Sequence, residues 1–445
     1  MTQPSGPELL GAGTRWRNWG RSASAQPVHV ARPRSVDEVV AVVRAAADRG
    51  LPVKAVGAGH SFTDIAATPG VLVELSNLRG LISVDTARGR VRLAAGTHLW
   101  ELPAILNPLG LALANMGDID RQTIAGATST GTHGTGLQFP GLAAQLTAVT
   151  LVTGSGEVLV IDETHRPDLL PAARLGLGAL GIVVEVEVQC VPTFLLTAVE
   201  HPAPLDEVLD AWPGSVAAAD HFEFYWWPHT DVAMTKTNTR MPGDTPHQPA
   251  GRFSTWVEER LLENEALRAT QGLGRLVKPL IPSLNRLATK VYGDRELTAP
   301  SYEIFTSARL VRFRESEYAL PLEALPQALR DLRGLIERKG WRISFPVEVR
   351  AAAPDDNWMS TAYGRPSAYI AVHRYFRDDA TEYFRAFDTL LRSYDGRPHW
   401  GKMHFRAAED LRPAYPKFDD FLAVRNELDP DRRFANRYLD RVLGS

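Results

Sequence analysis

The chain reads as an α+β protein. Its N-terminal part is a helix and several strands carrying two glycine-rich segments, and its later part is an antiparallel sheet with helices on one face. Three features carry this expectation. Ser35-Val36-Asp37-Glu38 is a capping box, in which Ser35 can accept from the first turn and Glu38 can reach back. The Val39, Val40, Val42, Val43 and Ala46 stripe behind it has helical spacing and ends at Gly50. From about residue 193 onward, aromatic and β-branched runs alternate with helical stretches.

In chain order, residues 1–15 are a Gly, Pro and Ser leader, and strand-like runs lie at 52–56, 71–75 and 91–95. Leu99 to Leu106 is a short amphipathic helix. Leu146 to Val152 and Glu157 to Ile161 are strands flanking the turn residues Thr153-Gly154-Ser155-Gly156. Ile182 to Val191 alternates as a strand and ends near Pro192. Beyond it, Phe222 to Trp227 is an aromatic cluster. Arg309 to Phe313, Phe345 to Arg350 and Tyr369 to Tyr375 read as strands, with helices over 323–338 and 380–394. Residues 236–252 and 262–300 read as irregular or helical, a cap or linker insert.

Composition narrows the function class. The 445 residues suffice for two or three domains. A net charge of −3 gives no basic face for a nucleic-acid partner. The single cysteine, Cys190, excludes an intrachain disulfide, and its strand context reads as a buried thiol. No apolar run approaches the ~20 residues that span a bilayer. No basic start followed by an apolar core marks a secretory signal. The expected location is therefore cytoplasmic, with peripheral membrane association left open.

The chemistry concentrates in the two glycine-rich segments. Val56-Gly57-Ala58-Gly59-His60-Ser61-Phe62 follows a strand-like run and places a histidine at a turn. Gly126 to Gly136 is eleven residues of only Gly, Ala, Ser, Thr and His. A segment with so little apolar surface reads as a loop whose amides and hydroxyls wrap a polar, phosphate-bearing ligand, or as a structural turn. Neither segment is a P-loop, and Gly131 to Gly136 lacks the strand-then-helix setting of a dinucleotide fingerprint. In the later part, Glu348 and Arg350 lie two apart on a strand and share a face, as do His373 and Tyr375. Taken alone, the Glu348–Arg350 pair reads as a solvated cross-strand ion pair worth about 0–1 kcal/mol, and Lys402 as a surface lysine. No His/Cys/Asp/Glu spacing reads as a metal site.

Together, the G-x-G-H-S-x-x-D-I run of Gly57 to Ile65, the T-G-T-H-G-T-G run of Thr130 to Gly136 and the late His399-Trp400-Gly401-Lys402 resemble the aldonolactone oxidoreductases. These are flavoproteins of the vanillyl-alcohol-oxidase type. The resemblance spans about Trp16 to Leu443 and is greatest to the gulonolactone dehydrogenase type. It implies a two-subdomain FAD-binding domain over residues 16–194 and an antiparallel-sheet substrate or cap domain over 195–402. A C-terminal segment, 403–445, would pack back on the FAD domain. It implies that His60 bonds covalently to the flavin. The expected FAD contacts are Val56, Gly57, Ala58, Gly59, Ser61, Phe62, Gly117, Asp118, Thr128, Ser129, Thr130, Gly131, Thr132, His133, Gly134, Gly181, Ile182, Val183, His399 and Lys402.

The resemblance also makes Glu348, Arg350, Lys402 and His373 the catalytic set. Glu348 would orient or deprotonate a substrate hydroxyl, while Arg350 and Lys402 bind its oxygens. The implied reaction is oxidation of an aldono-1,4-lactone such as L-gulono-1,4-lactone by hydride transfer to flavin, giving ascorbate or an analogue. Electrons would pass to O2 or a redox carrier. A polyol (alditol) or other carbohydrate oxidase on the same scaffold is the alternative, and a non-catalytic flavin- or sugar-binding protein is the reading from another class.

Overall fold

The Ser35 hydroxyl accepts from the Glu38 amide, and the helix Val36–Asp48 runs from that cap with Val39, Val42, Val43 and Ala46 buried. This helix is the crossover between the parallel strands His29–Ala31 and Val53–Val56, which flank Val71–Glu74 in a four-stranded sheet. The computed structural model of the chain describes residues 9–246, 277–291, 293–307 and 311–445.

A second sheet is antiparallel and follows the order Val158–Ile161, Leu146–Val152, Ile182–Pro192, Arg90–Ala94, Leu81–Asp85, with Leu111–Leu113 pairing the far end of Ile182–Pro192. The third sheet has eight strands, in the order Arg295–Pro300, Phe194–Pro204, Val232–Pro242, His221–Trp226, Val347–Ala352, Ser367–Tyr375, Phe313–Pro321 and Arg397–Pro398. Its pairings are all antiparallel. The fold is α+β, as the sequence predicts.

Strand alternation gives this large sheet two unlike faces. Phe222, Phe224, Trp226, Val347, Val349, Ala351, Ile370 and Val372 point to one side and pack with the helices Leu205–Ala218, Leu325–Lys339 and Thr381–Arg392. The other side carries Glu223, Tyr225, Glu348, Arg350, His373, Glu315 and Glu317. The register aligns Tyr225 with Glu348, Glu348 with Ala371, and Ala371 with Glu317.

The C-terminal helices Phe418–Leu428 and Arg437–Leu443 join the apolar core of the N-terminal half. Backbone contacts reinforce that packing: the Val53 amide donates to the Arg433 carbonyl, and the Gly154 amide to Leu428. The Asn436 side-chain amide donates to the carbonyls of Asp64, Ile65 and Ala67.

Three local expectations are corrected. The Gly126 to Gly136 segment is not loop throughout. Ile124–Thr130 is helical, capped by the Thr123 hydroxyl at the start and by left-handed Gly131 at the end. Small residues fit there because the helix packs close to its neighbours. The strand expected at Arg309 to Phe313 instead begins at Phe313 and runs to Pro321; residues 308–310 lie outside the described residues. Within 236–252 and 262–300, strands occupy Val232–Pro242 and Arg295–Pro300, and a helix occupies Ile281–Val291. Both strands pair with Phe194–Pro204, and that pairing decides their conformation more than local propensity does. Residues 247–276 of that stretch are outside the described residues.

Candidate active site

The strand Val53–Val56 delivers the chain directly into the first glycine-rich turn. A Cβ on Gly57 would stand 2.2 Å from the Thr123 hydroxyl, and Gly59 has φ +69°, so the two glycines let this turn pass tight against the capped helix. Beneath it opens a cleft. Val56, Gly57, Ala58, Gly59, His60 and Ser61 line one wall, Ser129 and Thr130 come from the Ile124–Thr130 helix, and Leu177, Gly178, Gly181 and Val183 complete it. The amides of Ala58, Gly59, His60 and Ser61 donate to no backbone carbonyl among the described residues. Unspent amides beside apolar Leu75, Leu177 and Val183 fit a dinucleotide, which needs donors for its phosphates and flat apolar contact for its rings.

His60 stacks on Trp19 with centroids 5.5 Å apart and an interplanar angle of 20°. Burial, then the Lys402 charge, brings its ring down to about 4. At neutral pH it therefore carries a free lone pair. Cys190 packs in the core, and burial pushes its thiol up to about 12. Lys54 also lines the cleft, and its ammonium donates to the carbonyls of Gly178 and Phe434 at 2.8 and 3.2 Å.

The other expected cofactor residues serve the packing around the cleft. Phe62 is buried against Trp19 and Phe313, and its amide donates to the Gly401 carbonyl at 2.6 Å. The Thr128 hydroxyl bonds back to the carbonyls of Ile124 and Ala125, and Ile182 lies in an apolar cluster. The Thr132 hydroxyl meets Gln122. Gly117 and Gly134 admit close backbone passage, since a Cβ on Gly134 would stand 2.2 Å from the Met116 carbonyl and one on Gly117 3.0 Å from the His133 carbonyl.

On the polar face of the large sheet, Arg350 is held between carboxylates. Its Nε donates to Glu223 at 2.8 Å, its outer nitrogen ion-pairs with Glu348, and Asp118 stands at 3.8 Å. The Tyr225 hydroxyl donates to Glu348 at 3.3 Å. Both Glu348 and Arg350 are 7 % exposed, so the solvated surface pair is ruled out. Burial disfavours the guanidinium, but Glu348 and Glu223 outweigh it and hold Arg350 well above its ordinary value.

Lys402 lies 2.5 Å from the Glu315 carboxylate, and His373 lies 3.7 Å from the other oxygen of Glu315. His133 meets Glu317 at 3.2 Å and stacks on Tyr369 with centroids 3.7 Å apart. His399 is brought down to about 3, chiefly by burial, and its Nδ1 accepts from the Gly401 amide. The ligand atoms of His133, Glu317 and His399 lie within 4.8 Å of one another, a grouping no spacing in the sequence suggests. Hydrogen bonds already engage both histidines in the cluster.

Sequence reasoning passed over Glu223, Tyr225, Glu315 and Glu317. The signal was present: Glu223-x-Tyr225 and Glu315-x-Glu317 have the same two-residue spacing as Glu348-x-Arg350. Tyr375 sits apart from this group, opposite Phe313 at the end of its strand.

A family profile described as D-arabinono-1,4-lactone oxidase matches residues 186–442, and an FAD-binding-domain profile matches residues 27–162. The chain belongs to the D-arabinono-1,4-lactone oxidase family. It is an FAD-dependent oxidoreductase. L-Gulono-1,4-lactone dehydrogenase of Mycobacterium tuberculosis (strain ATCC 25618 / H37Rv) is 43% identical over 429 residues, covering 96% of this chain and 99% of the relative. L-Gulonolactone oxidase of Bos taurus is 32% identical over 438 residues, covering 97% and 98%. The crystal structure of cholesterol oxidase from B. sterolicum superposes with a TM-score of 0.81 at 17% identity, over 100% of this chain and 99% of that one, which is a likeness of fold alone. The FAD-binding profile spans both glycine-rich segments and the cleft wall from Lys54 to Thr130.

Proposed function

We propose that this chain oxidises a secondary hydroxyl of an aldono-1,4-lactone of the L-gulono type to a keto-lactone that yields an ascorbate-type product. The observation that carries the reading is the polar face of the large sheet, where Glu348 and Arg350 are buried together and Glu315 holds the partly exposed Lys402, whose charge reaches His60 on the cofactor cleft. Bound FAD supplies the two-electron acceptor. His60 is the proposed point of covalent attachment, because its neutral ring lines the cleft.

Glu348 takes the proton of the reacting hydroxyl or orients it. Arg350, fixed by Glu223 from behind, binds a substrate oxygen, and Lys402 binds another, with His373 alongside. The preset ion pairs mean that these groups need not reorganise when substrate arrives. The names of the relatives support a lactone over an alditol. Electrons then leave to O2 or to a redox carrier. No helix among the described residues is long and apolar enough to cross a membrane.

The test is acid precipitation of the purified protein, then anaerobic titration with L-gulono-1,4-lactone while the flavin absorbance is followed. A yellow pellet and bleaching by lactone are the expected results, and readmitted air separates an oxidase from a dehydrogenase. Flavin left in the supernatant overturns the covalent link. A flavin that the lactone fails to bleach, but an alditol reduces, overturns the substrate.

A further inference from the structure

The geometry points to Glu315 as a positioning residue that holds Lys402 charged and in place within the active site. This rests on the proposed role of Lys402. The strand Phe313–Pro321 presents two buried carboxylates, Glu315 and Glu317, to the polar face, 3 % and 5 % exposed. The same strand carries the Lys402 segment by its backbone: the His399 amide donates to the Glu317 carbonyl at 3.0 Å, and the Met403 amide to the Glu315 carbonyl at 2.9 Å. Lys402 lies between those two anchors, and its ammonium meets the Glu315 carboxylate at 2.5 Å. Backbone and side chain of one residue thus fix both the position and the charge of the lysine.

The charges facing Lys402 come from every neighbouring element. Glu315 and Glu317 lie on its supporting strand, His373 on the next strand, and His399 in its own segment. Asp118 stands in the loop after Leu111–Leu113, and His60 in the glycine-rich turn. Burial lowers the ammonium, yet Glu315, then Glu317, outweigh it and hold Lys402 above its ordinary value. Removing the Glu315 charge takes away the largest counterweight to burial, and Lys402 then loses its proton at lower pH. Because the Lys402 charge also reaches His60, the cofactor cleft registers the loss.

The experiment is Glu315→Gln in the flavin-loaded enzyme, with Lys402→Met and the double variant. The first readout is the pH profile of kcat/KM. The second, which needs no substrate, is the pH dependence of the bound flavin's reduction potential. In E315Q the alkaline limb of both is expected about 1–3 pH units lower, the usual effect of one adjacent opposite charge. In K402M and E315Q/K402M both limbs coincide. A wild-type profile in E315Q overturns the proposal, as does an equal displacement in the Lys402→Met background. Should E315Q fail to hold FAD, 13C-dimethyl-lysine NMR of the wild type decides: a Lys402 signal titrating above the ordinary lysine value supports the pair, and one titrating below it overturns it. Lactone that fails to reduce the flavin, with the potential still displaced, overturns the substrate reading and leaves the Glu315–Lys402 pair standing.

Discussion

Glu348 shares a buried ion pair with Arg350, which Glu223 grips from its other side. Replacing Glu348 with the neutral amide keeps the shape and removes the base. Glu348→Gln is expected to lower turnover about 10²–10⁴-fold, the usual contribution of a positioned base, while the flavin stays bound. Steady-state kinetics beside the flavin-to-protein absorbance ratio checks this, and near-normal turnover would remove Glu348 from the chemistry.

Between elements, the decisive contact is the strand-to-turn entry at Gly57 against the capped helix Ile124–Thr130. The Thr123 hydroxyl that caps the helix occupies the space where a Gly57 Cβ would stand, at 2.2 Å. Gly57→Ala therefore forces the turn off the helix and deforms the cleft wall carrying Ala58 to Ser61. The expected result is a folded protein that retains at most a small fraction of its FAD. Flavin content of the purified variant, with far-ultraviolet circular dichroism as the fold control, tests it. Full flavin content would show that the turn can move without harm. Gly50, where φ is +62° and a Cβ meets nothing within 4 Å, is the contrast.

For the whole molecule, the C-terminal segment ties the glycine-rich region to the rest of the fold. Asn436 caps its own helix through Leu439 and donates to three carbonyls of residues 64–67. Asn436→Ala removes the helix cap and the donor that the partly buried Ile65 and Ala67 carbonyls share. The expected loss is about 1–3 kcal/mol in denaturant unfolding, and an unchanged midpoint would count against the tie. Lys54 links the same parts. Burial, with Arg425 adding to it, lowers its ammonium from 10.5 to about 7. Between those values the unfolded chain binds the extra proton, so stability of the FAD-free protein rises with pH there, by roughly 1.4 kcal/mol per unit. The gain is lost as pH falls through about 7. In Lys54→Met this slope should disappear from the pH dependence of the melting temperature; a retained slope would assign it to another group.

Much of this was legible in the chain itself. The Ser35 cap and its helix, the glycine-rich turn with His60 at its tip, and the Glu348-x-Arg350 strand follow from local chemistry: hydroxyl capping, backbone freedom at glycine and the two-residue period of a strand. The three separated motifs were enough for the family. Only tertiary structure decided that Gly126 to Thr130 is helical, since a run of small residues has little preference until it packs. Only tertiary structure decided that Val232–Pro242 and Arg295–Pro300 are strands, because their partner Phe194–Pro204 satisfies their backbone groups. It also chose the partners of the proposed catalytic residues. Glu223 and Glu315 meet Arg350 and Lys402 through the order of strands in the large sheet. Strand order is set by pairings between distant segments, and no local pattern of residues encodes it.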